Sequence, residues 1–406
     1  MINLYIEEAI MFKEYTVNDI IDEIIDYRGK TPKKLGGDWS KVPTNYMALS
    51  AKNIKNGRIV QTDSIRFVSE SMYKKWMKQE VNRGTILITS EAPFGELLYW
   101  DSDEKIVLSQ RLFGLKIKKE FNTRYIYYYM LSNMFQSELC GRATGSTVTG
   151  LRQPELLKCS IKIPNREIQD KIASILESVD NKINLNTNIN NNLSEQIKHI
   201  YNEIFTEYDN YTRLSEISNV TIGKTPPRSE SECFSTNEND IKWISISDLG
   251  KSGMFIFDTS ERLTQEAVDK YNVKIIPKDT VILSFKLTIG RTGFTTENMT
   301  TNEAIAHFDL IDRNLTNYLY CTLTYFNYSN LGSTSSIATA INSKIVKSIK
   351  IGIPNEEQLK KFNNLTSSMF MMIRNNELES MKLSKLRDTL LPKLINGEID
   401  LDNIGI

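Results

Sequence analysis

Residues 165–206 read NREIQDKIASILESVDNKINLNTNINNNLSEQIKHIYNEIFT. The stretch contains neither Pro nor Gly. Apolar side chains recur in steps of four and three, at Ile172, Leu176, Val179 and Ile183, then at Leu193, Ile197, Ile200 and Ile204. Asn186 and Asn190 fall in the same register between the two sets. This is the pattern of a long helix laid against another helix through a seam with a polar centre. At 1.5 Å per residue the spacing predicts a rod of roughly 60 Å. A helix of that length needs a partner along it.

The partner lies near the C-terminus. Residues 355–395 read NEEQLKKFNNLTSSMFMMIRNNELESMKLSKLRDTLLPKLI. Here the register picks out Phe362, Leu365, Met369 and Met372, then Leu383, Leu386 and Leu390, with Asn376 and Glu379 in the middle. Each stretch is preceded by an Ile-Pro-Asn triplet, Ile163-Pro164-Asn165 and Ile353-Pro354-Asn355. The Pro stops helix upstream and the Asn caps the helix downstream. Polar seam residues fix register at some cost in stability. The Asn-rich centre is equally well read as part of a general Asn bias of the chain.

A chain of 406 residues is expected to form two or three domains. The formal net charge is zero, so no global basic field points to a polyanion. Locally the balance differs. Lys13–Lys158 holds 23 Lys and Arg against 17 Asp and Glu, while Asn210–Gly352 holds 15 of each. The four cysteines, Cys140, Cys159, Cys233 and Cys321, are far apart, and only His199 and His307 accompany them. No zinc-type spacing results, and reduced thiols in a cytoplasmic protein are the simple expectation. The first ten residues lack a basic n-region, so no signal peptide is expected, and Met11 is an alternative start. No apolar run reaches membrane length.

The chain also repeats itself at about half its length. Tyr15-Thr16 returns as Tyr211-Thr212, and Gly29-Lys30-Thr31-Pro32 as Gly223-Lys224-Thr225-Pro226. The run Thr85–Thr89 returns as Thr280–Ser284, with Gly95 answered by Gly290. Gly145–Leu151 is answered by Ser335–Ile341, and each half then leads into a triplet and a long helix. Each half is expected to open with a short amphipathic helix, Val17–Ile25 and Leu214–Asn219. Short strands come next, Ile86–Thr89 and Leu97–Trp100 in the first half, Val281–Phe285 and Ile305–Leu310 in the second. An aromatic-rich helix closes each half, Thr123–Cys140 and Leu315–Asn327. The expected class is α+β, an antiparallel-rich sheet or barrel with helices on one side, used twice.

Enzyme signatures are missing. There is no phosphate-binding G-x-x-x-x-G-K-[ST] loop, no G-x-G-x-x-G and no G-x-S-x-G elbow. The Asp/Asn-Pro-Pro-Tyr/Phe tetrapeptide of amino-methyltransferases is absent too. A non-catalytic binding protein fits better. Candidate contacts to nucleic acid are the cations and hydroxyls of the loops: Arg28, Lys30, Thr31, Lys33 and Lys34 in the first half, with Lys224, Thr225 and Arg228 in the second. Such groups contact phosphates, although a solvated charged loop reads the same way. The tracts holding Arg142, Ser146 and Thr147, and Ser333 and Ser336, recur just before each long helix. They suit close approach to a nucleic-acid backbone, or serve as linkers. Arg111, Lys286 and Arg291, beside apolar runs, could reach bases or take part in surface ion pairs.

Two divergent repeats, each begun by Gly-Lys-Thr-Pro and ended by an Ile-Pro-led helix, are closed by Leu386-Arg387-Asp388-Thr389-Leu390-Leu391-Pro392-Lys393-Leu394. Together they resemble the specificity subunit of type I restriction–modification systems. The resemblance covers nearly the whole chain from about residue 12. It departs at Ile168-Gln169, where the second repeat keeps Glu357-Gln358. It implies a target recognition domain at 1–163 (residues 1–11 an extension) and a central long helix at 164–206. A second recognition domain is implied at 207–353, and a long helix with tail at 354–406. It further implies that each domain reads one half of a bipartite, asymmetric duplex DNA site, in host defence. The two helices would form an antiparallel coiled coil through Ile172, Leu176, Val179, Ile183, Leu193, Ile197, Phe362, Leu365, Met369, Leu383, Leu386 and Leu390. That coiled coil would fix the gap between half-sites about 34 Å apart. A pseudo-two-fold repeat would let two modification subunits dock equivalently, and restriction subunits would join them. S-adenosylmethionine, ATP and Mg would belong to those partners, with no cofactor or metal on this chain. The competing reading is a coiled-coil scaffold that binds only proteins.

Overall fold

The structure, a computed structural model, describes residues 12–144, 150–331 and 341–399. Two compact units emerge. One holds the described residues up to Asn181 together with those from Leu383 onward, and the other is Lys182–Lys382.

In the first unit a four-stranded antiparallel sheet runs in the order Ile21–Asp26, Leu112–Ile117, Ile86–Thr89, Leu97–Tyr99. A smaller sheet joins Arg66–Phe67, Met47–Leu49 and Ile106–Leu108, the last two parallel. In the second unit Ser218–Ile222, Ile305–Leu310, Val281–Ser284 and Thr292–Thr295 repeat the larger sheet, with Phe255–Ile256 added at its edge. Glu261–Leu263, Ile241–Ile244 and Thr300–Thr301 repeat the smaller one, again with a parallel pair. The sequence repeat is therefore a repeat of strand order, and the class is α+β.

The expected opening helices are shorter than the periodicity suggests. Helix covers only Val17–Ile20 and Leu214–Ile217, and the chain then turns directly into strand. Ile21, Ile24, Ile25, Val220 and Thr221 are β-branched and gain more from cross-strand packing than from another helical turn. The expected helix Thr123–Cys140 is two helices, Thr123–Leu131 and Asn133–Gly141. Ser132 sits between them in extended conformation and accepts from the Phe135 N–H, starting the second helix as its cap.

The two long helices are Arg166–Ile204 and Glu356–Ile395. Asn165 Oδ1 accepts from the Ile168 N–H at 3.0 Å. Asn355 and Gln358 cap each other, side chain to backbone, at 2.8 and 3.0 Å. In each unit the helices run antiparallel. Asp180 meets Arg387 at 2.9 Å, and Ile172 and Leu176 share a core cluster with Leu394 and Ile395. Within the second unit, Asn190 meets Asn376, Asn186 meets Glu379, and the Ile204 carbonyl meets Gln358.

The seam on the second helix is not the one expected. Leu365 is 46% exposed, Leu386 47%, and Met372 is exposed too. Thr366, Phe370 and Ile373 are buried instead, beside the expected Phe362. The reason is a second neighbour. Phe370 packs edge-on against Phe294 and Tyr320 of the second unit's core, so this helix turns its large side chains toward the globular core. Of the other expected seam residues, Ile172, Leu176, Ile183, Ile197 and Phe362 are buried, while Val179, Leu193, Met369, Leu383 and Leu390 are half-buried.

Candidate nucleic-acid interface

The first unit carries a polar cleft of about 350 Å³. Thr31 of the Gly-Lys-Thr-Pro loop lines it, with Ser109, Gln110 and Arg111 from the turn between strands Ile106–Leu108 and Leu112–Ile117. Trp39 and Arg66 close one side, the guanidinium 5.3 Å from the indole. Asn53 is buried beneath. Its oxygen accepts from Ser50 and its amide faces Val60, Gln61 and Ser64, so the cleft floor is braced. Gln110 and Arg111 are exposed at the rim. Arg111 has φ +68° and an ion pair with Glu91 at 2.9 Å. A Gln amide can address adenine and an Arg guanidinium guanine, each by paired hydrogen bonds.

Several predicted cations are engaged by the protein itself. Arg28 pairs with Asp26, donates to the Leu151 carbonyl, and lies 3.8 Å over the Phe113 ring. These contacts hold the loop. Lys30 rests 4.2 Å over Tyr27, and Lys34 donates to the Gly29 carbonyl at 2.7 Å. Arg142 pairs with Glu138 and Glu155. Lys33 is exposed. The geometry brings Thr31 and Arg111 together on one cleft and leaves Arg28 and Arg142 outside it.

In the second unit the equivalent turn, between Thr300–Thr301 and Ile305–Leu310, presents Asn302 and Glu303. The Thr225 hydroxyl donates to the Glu303 carboxylate. Burial pushes the Glu303 carboxyl up, but the Thr225 hydrogen bond, a backbone bond and the fields of Lys286 and Arg228 bring it below the ordinary range. Thr225, Arg228, Lys286 and Glu303 thus form one neighbourhood. Arg228 is also paired with Glu261 and stacked near Phe234 and Trp243. Lys224 donates to the Tyr271 carbonyl at 2.6 Å. Arg291 donates to the Ile246 carbonyl and lies apart from this set of contacts. Ser146, Thr147, Ser333 and Ser336 lie outside the described residues.

Sequence reading missed the hairpin tips beside these sites. Thr89 and Ser284 each close a turn in the same way. The Gly95 and Gly290 N–H groups donate back to their carbonyls, and their own N–H groups donate to Glu96 and Arg291. Ala92 (φ +45°) and Leu287 (φ +62°) occupy the same place in the two turns. A left-handed conformation costs a residue with a Cβ about 1–2 kcal/mol. The signal available was Gly95 answered by Gly290, which marks both turns. Gln110 was missed as well, although it precedes Arg111.

Among the described residues no cluster of His, Cys, Asp and Glu could hold a metal ion. No helix among them is long and apolar enough to cross a membrane.

The family described as type I restriction modification DNA specificity domain matches residues 11–195 and again 208–382. The chain is 26% identical, over 84% of its own length and 83% of the relative's, to the type I restriction enzyme MjaIX specificity subunit of Methanocaldococcus jannaschii. It is 28% identical, over 46% and 40%, to the HindI specificity subunit of Haemophilus influenzae. Its fold is similar to the crystal structure of a type I restriction–modification S subunit from M. genitalium. The TM-score is 0.59 at 15% identity, and 96% of this chain and 98% of that one are covered. With two copies of the domain spanning most of its length, the chain belongs to the type I restriction–modification DNA specificity family and is a sequence-specificity subunit of such a system.

Proposed function

We propose that each unit reads one half of a bipartite, asymmetric DNA site through the turn that ends its parallel strand pair. The observation that carries this is the pair of equivalent turns with different readers, Gln110-Arg111 in the first unit and Asn302-Glu303 in the second. Gln and Arg suit adenine and guanine, and a carboxylate suits the cytosine amino group. The two half-sites therefore differ. Thr31, Lys33, Thr225 and Lys286 contact phosphates alongside, and each tract that holds Ser146–Thr147 or Ser333–Ser336 adds backbone contacts. The long helices set the gap. Their apolar residues left in solvent, Leu365 and Met372 in one unit and Leu386 in the other, dock two modification subunits. Restriction subunits complete the complex. This subunit is non-catalytic and works in the cytoplasm. S-adenosylmethionine, ATP and Mg act on the partners.

The test is methylome mapping of the native genome with and without this gene. Loss of one bipartite methylated motif is expected. An unchanged methylome, together with a purified complex that binds no DNA in a sequence-dependent and salt-sensitive way, would overturn the reading.

A further inference from the structure

The turns after Thr89 and Ser284 share their hydrogen bonds but not the side chain at the tip. In the first unit that side chain is Ala92, which lines the cleft with Thr31 and Arg111. In the second it is Leu287, 95% exposed. Among the described residues none packs against this leucine to any extent, since almost all of it stands in solvent. The turn that carries it is firmly built. The Thr288 N–H donates to the Lys286 carbonyl at 2.7 Å across Leu287, the Ser284 hydroxyl donates to the Thr288 carbonyl, and the Arg291 N–H donates to the Ser284 hydroxyl at 3.1 Å. Its base is anchored by buried Phe285 and by Gly290, which lies against the Tyr328 ring. A large apolar side chain is thus held out on a rigid arm, in a backbone conformation leucine seldom adopts.

The surroundings are polar and carry charges of both signs. Lys286 is exposed next to the tip, and its field reaches Glu303, which bonds Thr225 of the Gly-Lys-Thr-Pro loop. An apolar side chain on a firm arm beside a lysine is what enters a duplex between base steps.

We propose that Leu287 is a wedge that inserts into the base stack of the half-site read by the second unit. The inference rests on the DNA-specificity reading above. Leu287 opens one step, while Ala92 leaves the first half-site stacked. Pyrimidine–purine steps open most readily, so the second half-site carries such a step at the wedge. Specificity there arises without a base-edge hydrogen bond.

The experiment uses the assembled methyltransferase complex and duplexes of the mapped motif. 2-Aminopurine is placed at each step of either half-site in turn, excluding the methylated adenine. The wild type is expected to brighten one step in the second half-site only. Leu287→Ala should abolish that signal and weaken specific binding about 10- to 100-fold, because the opened step loses the side chain that fills it. Leu287→Met should retain most of both. Wild-type signal and affinity in Leu287→Ala would overturn the wedge alone. So would a Leu287→Ala complex that fails to assemble with its partner subunits, which would make Leu287 a protein contact. A wild-type complex with no sequence-specific binding would overturn the specificity reading itself, and the wedge with it.

Discussion

Asn186 is fully buried between the two long helices and donates its side-chain amide to the Glu379 carboxylate at 2.8 Å. The same amide faces the Asn376 carbonyl and the Ser380 hydroxyl, while its own oxygen has no partner among the described residues. An unsatisfied buried acceptor costs about 1–3 kcal/mol. Asn186→Leu is therefore expected to raise stability by about 1 kcal/mol in urea unfolding, with weaker discrimination of register. Asn186→Asp should lower stability at neutral pH, because it faces Glu379, and recover as the pH falls and the carboxylates protonate.

Glu377 ties the second long helix to the sheet of its unit. It accepts from the Met254 and Phe255 N–H groups at 2.8 and 2.9 Å. Glu377→Ala would orphan both and is expected to cost about 2–4 kcal/mol. Glu377→Gln keeps one acceptor and should cost less. Burial holds the Glu377 carboxyl above its ordinary range, against the two backbone bonds. A raised carboxyl contributes most stability below its unfolded value near 4.3 and loses it as the pH rises toward the folded value. Denaturant curves between pH 4 and 7 should show that decline in the wild type and lack it in Glu377→Gln.

His307 is completely buried in the second unit's sheet, between the Thr221 hydroxyl at 3.0 Å and the Thr301 hydroxyl at 2.6 Å. Burial, with the field of Lys274, pulls its pKa down to about 3. The unfolded chain takes up a proton near pH 6.5 that the folded chain refuses. Stability from this group is present above 6.5 and falls as the pH drops toward 3, by up to about 1.4 kcal/mol per pH unit. Thermal unfolding across that window, compared with His307→Gln, measures it.

The two Gly-Lys-Thr-Pro loops should respond unequally to the same change. A Cβ on Gly29 meets nothing within 4 Å among the described residues, whereas one on Gly223 comes within 2.2 Å of the Asn302 carbonyl and 2.4 Å of the Thr301 carbonyl. Gly29→Ala is expected to shift stability by less than about 0.5 kcal/mol. Gly223→Ala should lower it by about 1–3 kcal/mol. Unfolding measured in the two single variants decides this.

On DNA, Gln110→Ala and Arg111→Ala should each relax discrimination at one base pair of the first half-site by about 1–3 kcal/mol. The second half-site should be unaffected. Lys33→Ala should weaken all sequences alike and reduce the salt slope by about 1. Anisotropy titrations of the assembled complex on matched and mismatched duplexes at several salt concentrations separate the two effects.

The long helices, their Asn caps and the duplication of the globular halves were legible in the amino-acid order, while the polar seam centre at Asn186 and Asn190 was one of two equal readings. These are local periodicities or short motifs, and period and spacing survive in one dimension. Folding settled which side chains are taken up inside the protein. Arg28 looked like a phosphate contact, yet Phe113, far away in the chain, comes to lie beneath its guanidinium. Leu365 and Leu386 obeyed the heptad, yet Phe370 and Ile373 are buried because the helix faces a sheet as well as a helix. Leu287 was an ordinary apolar residue in the sequence until the turn around it, closed by Ser284 and Arg291, placed it in solvent. Free cations, exposed apolar faces and protruding tips depend on partners distant in sequence, and those partners exist only once the chain has folded.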